Sequence, residues 1–189
     1  MKEIKKWTTL GSEYLIRRPW LTARRDRVRL PDGREMDEYY VLEYPTWINV
    51  IAITPEGRYV MVRQYRHGLG DVFTELCAGV AEAGEEPLEA ARRELLEETG
   101  FGGGRWSLLN VISANPGSNS NLTYCFLAEG VTPQGQQHLD ATEDLAVELL
   151  TRDEVLGMLE RDEVKQSLMA TPLWHHFWTL RCAGEDAPR

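Results

Sequence analysis

The segment that most restricts what this chain can fold into runs from Asp71 to Phe101, "DVFTELCAGVAEAGEEPLEAARRELLEETGF". It opens as a strand, with Val72, Phe73 and Thr74 favouring a pleated surface, and closes as a helix. Pro87 suits a first helical turn, Leu88, Ala91 and Leu95 make an apolar stripe at helical spacing, and Gly100 is a natural stop. A helix over 86–99 follows. Yet the stretch from Gly79 to Phe101 packs seven glutamates into 23 residues, although like charges at i,i+4 oppose helix formation. Glu94, Glu97 and Glu98 stand at i, i+3 and i+4, which places three carboxylates on one face within a single turn. A Glu-rich helix face is ordinarily just solvated. The alternative is a seat for something positive, and hard oxygen donors clustered this way suit Mg2+ or Mn2+. Arg93 is placed to pair with Glu97 or a neighbouring carboxylate and so to orient it.

The flanks read mainly as strands. "LPDGR" at 30–34 is a turn between two strand-like runs, and "PEGR" at 55–58 separates "WINVIAIT" from "YVMVRQYR" in the same way. "WSLLNVISA" and "NLTYCFLAEG" read as strands around a loop "NPGSNS" at 115–120, and "TPQGQQHLDATED" as a surface loop. "AVELL" is a short strand; Thr151 and Glu154 form a capping-box pattern for a helix through about Arg161, and a last helix covers Gln166 to Arg181. A length of 189 residues allows one substantial core with a small appendage. The domain expectation is an N-terminal β-rich extension over 1–45 and a main domain over 46–189.

No apolar run approaches the roughly 18 residues that span a bilayer, and no apolar stretch follows the basic N-terminus, so neither a membrane span nor a secretory signal is expected. Cys77, Cys125 and Cys182 lack paired spacing and read as reduced thiols of a cytoplasmic protein, not as a zinc site. The net charge of −9 argues against general nucleic-acid binding. Residues 17–34 nevertheless hold seven arginines against two aspartates. Because Arg25, Arg27 and Arg29 alternate with period two, a solvated strand face is the first reading, with phosphate or dimer contact as the alternative. His175 and His176 are adjacent, point apart on a helix and make a poor metal pair.

Taken with its flanks, the acidic segment is Gly79, five residues, Glu85, seven residues, Arg93-Glu94-Leu95, one residue, Glu97-Glu98, one residue, Gly100-Phe101. This resembles the Nudix box at every defining position. The resemblance implies an α/β fold, an α/β/α sandwich around a mixed β-sheet. It implies a hydrolase of nucleoside diphosphates linked to a second group, with Glu94, Glu97, Glu98 and the Ala78 carbonyl as metal ligands. In that scheme Glu97, Glu98 and Arg93 belong to the catalytic machinery, and a metal-positioned water attacks phosphorus. Pro116, sixteen residues after Gly100, together with "VRQYRHG" at 62–68 and "ELCAGVAEAGE" at 75–85, resembles the ADP-ribose pyrophosphatase-like branch.

That branch implies a nucleoside diphosphate sugar as substrate, ADP-ribose first and a GDP- or UDP-sugar as the alternative. It also implies a homodimer in which the N-terminal extension is exchanged. By carry-over, Arg66 and Glu75 would contact substrate, Tyr40 and Trp47 would stack a base, and Glu143 would serve as base or further metal ligand, with Asp140 and Asp144 also in reach. A catalytically silent Nudix module is a third reading, opposed by the intact box. RNA decapping is a fourth, opposed by the net charge.

Overall fold

The computed structural model describes residues 3–139 and 144–184. The chain divides into two compact units: one holds the described residues up to Pro45 together with Ser113–Asn121, the other Thr46–Ile112 and the described residues from Leu122 on.

The N-terminal unit is an antiparallel three-stranded meander, β1 (Thr8–Arg18), β2 (Leu21–Arg29) and β3 (Glu35–Glu43). The "LPDGR" turn closes as its residues predict, with Gly33 N–H donating to Leu30 O at 3.0 Å. The alternating arginines do line a face, and their charge is answered within the sheet. Arg25 pairs with Glu13 and Glu38 at 2.6 and 3.1 Å, Arg27 with Asp37 at 3.2 Å, Arg29 with Glu35 at 2.7 Å, and Arg24 with Asp26 and Glu43. The loop that carries Pro116 joins this unit: Leu42 exchanges backbone bonds with Ser118 and Ser120, and Tyr39 Oη donates to Gly117 O at 2.5 Å.

The second unit is built on a six-stranded sheet of order β11-β5-β6-β4-β9-β8. Its strands are β4 (Trp47–Ile53), β5 (Tyr59–Arg66), β6 (Asp71–Val80), β8 (Arg105–Ile112), β9 (Thr123–Glu129) and β11 (Leu145–Leu150); β7 (Phe101–Gly102) and β10 (Thr132–Pro133) form a small separate ladder. Only β4 and β9 run parallel, so the sheet is mixed. The "PEGR" turn is a true reversal, but β4 and β5 pair only at Ala52–Val60 and Ile53–Tyr59 before β6 separates them. The continuous apolar run of β4 fits that central place, since both its faces are covered.

Three helices cover the sheet: α1 (Pro87–Thr99), α2 (Arg152–Glu160) and α3 (Ser167–Cys182). Ala90, Ala91 and Leu95 of α1 pack with Ile48, Val50, Val60 and Cys77 on one face. Val155 and Leu159 of α2 and Met169, Leu173 and Phe177 of α3 pack with Ile51, Met61 and Leu76 on the other. The result is the α/β/α sandwich. Pro87 opens α1, and Gly100, at φ 72°, ends it with its N–H on Leu96 O. The Thr151–Glu154 capping box is formed. Asp162, at φ 55°, closes α2: its N–H reaches Leu159 O and the Glu163 N–H reaches Met158 O, the paired bonds of a Schellman motif. His176 is buried and meets the Tyr59 hydroxyl at 2.8 Å, whereas His175 faces outward. No helix among the described residues is long and apolar enough to cross a membrane.

Candidate active site

β6 builds the site by parting from one neighbour. Up to Leu76 it pairs with β5, and from Cys77 to Val80 it pairs with β4 alone. On the β5 side its backbone N–H groups at Ala78 and Val80 then need other acceptors. The carboxylates of α1 supply them. Glu98 Oε2 accepts from Ala78 N–H at 3.1 Å, and Glu94 Oε1 accepts from Val80 N–H at 3.3 Å. Gly79 lies between these contacts, and a Cβ there would land on the Glu94 carboxyl group, far inside van der Waals contact. The glycine is required because helix and strand touch at this point.

Arg93 binds the arrangement together. Its Nε and Nη2 hold both oxygens of Glu85 at 3.0 Å, Nη2 also donates to Val80 O at 3.0 Å, and Nη1 reaches Glu94 at 3.0 Å and Glu97 at 2.9 Å. The hydrogen bond to Arg93 is the main cause that holds the Glu85 carboxyl below its usual range. The same bond from Glu85 leads the causes that raise the Arg93 guanidinium. Burial pushes Glu94 the other way, upward, against the pull of Arg93. Glu98 is buried, and Glu97 is the most open of the three helix carboxylates. One guanidinium thus serves three carboxylates and leaves net negative charge in a half-buried place.

Among the described residues no three acidic, histidine or cysteine groups converge as a finished metal cage. The donors nevertheless fit a hard divalent cation. Glu94, Glu97 and Glu98 offer oxygens beside a strand edge, and their charge exceeds what Arg93 answers.

Arg66, paired with Asp71 beside the β5–β6 turn, reaches along the ladder to Glu75, which pairs with Val62. Glu75, 4% exposed, accepts from Arg66 Nε and Nη2 at 2.8 and 2.7 Å and from Gln64 at 3.3 Å. Trp47 starts β4 opposite Val80. Tyr40 lies on β3 of the N-terminal unit, exposed, its hydroxyl 3.1 Å from Glu38. Asp144 precedes β11 and is exposed; Glu143 and Asp140 lie outside the described residues.

One set of contacts has no counterpart in the sequence expectations. The loop ahead of β11 clasps the carboxyl end of α1: Gln137 Nε2 donates to Glu98 O at 2.6 Å, His138 N–H to Glu97 O at 2.8 Å and Gln134 N–H to Gly100 O at 2.8 Å. A helix end leaves its last carbonyls without partners, and "QGQQH" at 134–138 is rich in donors, so the signal exists but its target is distant in sequence.

Residues 44–170 match the profile of the NUDIX domain, and residues 7–42 match that of the nucleoside diphosphate sugar hydrolase N-terminal domain. The chain belongs to the Nudix family. Among its relatives is the ADP-ribose pyrophosphatase of Bacillus subtilis (strain 168), 30% identical over 165 residues, 87% of this chain and 88% of that one. The methanol dehydrogenase activator of Bacillus methanolicus is 31% identical over 160 residues, 84% and 86% of the two chains. The crystal structure of an ADP compounds hydrolase shares the Nudix fold at TM-score 0.84, covering 97% of this chain and 99% of that one at 22% identity. The Nudix box and the branch features seen in the sequence agree with these matches. Gly79, Glu85, Arg93 and the three helix glutamates form one connected cluster.

Proposed function

We propose that this Nudix protein hydrolyses the pyrophosphate bond of a nucleoside diphosphate sugar with Mg2+, converting ADP-ribose to AMP and ribose 5-phosphate. The observation that carries the reading is the pinning of Glu94 and Glu98 on the freed edge of β6, with Arg93 and Glu85 locking the helix to the preceding loop. Oxygens held in this way support a site for a metal and a diphosphate that needs little rearrangement on binding. Glu94, Glu97, Glu98 and the Ala78 carbonyl would hold a divalent ion, which would supply charge neutralisation at the diphosphate and activation of water.

The protein's own share is orientation. Glu94 and Glu98 are fixed by backbone N–H groups, Arg93 holds Glu97, and Gln137 and His138 fix the end of the helix that carries them. Arg66 presents donors to the substrate and Trp47 an aromatic face, while the sequence nominates Glu143 as the base. Relatives named for ADP-ribose support the choice of sugar nucleotide.

The same reading includes a homodimer formed through the N-terminal unit and a cytoplasmic setting. Every residue of β1 is exposed, Tyr14, Leu15 and Ile16 among them, and Trp20 just beyond it is 84% exposed. An apolar edge strand of this kind is ordinarily covered by a partner. The test is hydrolysis of ADP-ribose, ADP-glucose, GDP-mannose and UDP-glucose with and without Mg2+, beside light scattering for mass. Preference for ADP-ribose with metal is the expected result. Glu97→Gln and Gly79→Ala should stay folded and lose on the order of 10²-fold or more in turnover. Full activity in both variants would refute the site; preference for another sugar nucleotide would refute only the substrate.

A further inference from the structure

The carboxylates of α1 crowd the helix end where negative charge is least welcome. A helix carries roughly half a negative charge at its carboxyl terminus, and α1 has no basic residue in its last turn to offset it. Without a cation, Glu94, Glu97 and Glu98 repel one another and the helix end alike. Something must hold that turn in place before an ion arrives.

The loop after β10 does so. Pairing of Thr132 with Gly102 and of Pro133 with Phe101 brings it to the helix end. There the Gln134 and Gly135 N–H groups donate to Gly100 O at 2.8 and 3.2 Å, His138 N–H to Glu97 O at 2.8 Å and Gln137 Nε2 to Glu98 O at 2.6 Å. The approach is close: a Cβ on Gly100 would lie 2.5 Å from Gly135 O. These donors answer carbonyls that a helix end leaves bare.

Gln137 differs from the rest. Of these four donors it alone acts through its side chain, and its target is the main chain of Glu98, whose carboxylate accepts from Ala78 N–H at 3.1 Å. Glu98 is therefore held at both ends, by β6 and by the loop. Glu97 is held in the same manner, by Arg93 at its carboxylate and by His138 at its carbonyl. Gln137 is exposed and belongs to neither apolar cluster, so removing its amide removes a support of Glu98 and nothing from the core.

We propose that Gln137 is a positioning residue for the metal site. Its amide fixes the main chain at Glu98, so that the carboxylates of Glu97 and Glu98 meet a divalent ion with little left to rearrange. The amide dipole by itself slightly disfavours a cation nearby, and the positional gain outweighs it. The proposal rests on the reading of Glu94, Glu97 and Glu98 as metal ligands, and it is tested by binding as well as by turnover.

Mn2+ titration of the full chain without substrate, followed by the electron paramagnetic resonance of the free ion, gives the affinity. Gln137→Met, of similar length but without a donor, should bind Mn2+ about tenfold more weakly, the lower end of what supports of metal ligands contribute. Its metal-free melting temperature should stay that of wild type, and its turnover should approach wild type as Mn2+ saturates. Gln136→Met, one position away, should bind as wild type does. Unchanged or tighter Mn2+ binding in Gln137→Met overturns the proposal, as does equal weakening by Gln136→Met. A lowered metal-free melting temperature with unchanged affinity also overturns it, leaving Gln137 a plain helix cap. Glu98→Gln separates the two readings. If it leaves Mn2+ binding intact, the ligand assignment falls and this proposal with it; if it weakens binding while Gln137→Met does not, only this proposal falls.

Discussion

β1 and β6 are nearly the same length, eleven and ten residues, and their side chains meet opposite fates. Every residue of β1 is exposed, and its neighbours β2 and β3 are tied by ion pairs between arginines and carboxylates. β6 has Glu75, Leu76 and Cys77 buried, lies in the middle of six strands and is covered by helices on both faces. The first sheet buries Asp26, Val28 and Val41 and is otherwise held by exposed charge and ladder bonds, whereas the second is held mainly by burial. Exposed ion pairs are individually weak, whereas a buried leucine is worth about 1.5–3 kcal/mol. It is the buried sheet that carries chemistry, since a site needs supports that do not shift.

The comparison can be broken most directly in the core. Leu95 is fully buried between α1 and the sheet, so Leu95→Ala should cost about 2–5 kcal/mol in urea unfolding. Leu15→Ala, on the exposed strand, should cost no more than about 0.5 kcal/mol in dilute protein. A cost for Leu15 that grows with protein concentration would instead show a partner covering β1.

The next effect is acid. Burial lowers His176 to about 4, and it stays neutral against the Tyr59 hydroxyl. Between about 6.5 and 4 the unfolded chain therefore binds more protons than the folded one. Stability from this group is fully present above pH 6.5 and is lost as pH falls toward 4, by about 3 kcal/mol at the limit. Urea midpoints at pH 7, 5.5 and 4.5 should show the slope, and a His176→Phe variant should flatten it.

The smallest effect belongs to the charged sheet. Raising salt to about 1 M screens exposed charges, so amide exchange in β2 and β3 should quicken slightly while that in β4 and β6 holds. Equal response in both sheets would remove the distinction.

How much of this is legible in the sequence differs by element. α1 and α2 announce themselves, because Pro87, Gly100 and the Thr151–Glu154 pair act within one turn of the residues they cap. β6 is read as a strand from its β-favouring start at Asp71 and forms one there. β1 is the opposite case: with no buried residue it has no alternation to detect. The fate of the arginines in β2 was equally hidden, since their partners Glu13 and Glu38 come from strands on either side. For the site, spacing alone gathers Glu94, Glu97, Glu98 and Arg93, because they share a helix face.

The sequence by itself determined the box, the helix that bears it, the family and the chemistry its carboxylates invite. These depend on offsets of three, four and seven residues, which a helix converts directly into neighbours. Tertiary structure alone decided why Gly79 must be glycine, since the side chain it makes room for is Glu94, across from another element. It also brought Gln137 to the end of α1. That meeting joins segments tens of residues apart. It is set by where β10 pairs with β7, a matter of strand pairing that no local pattern encodes.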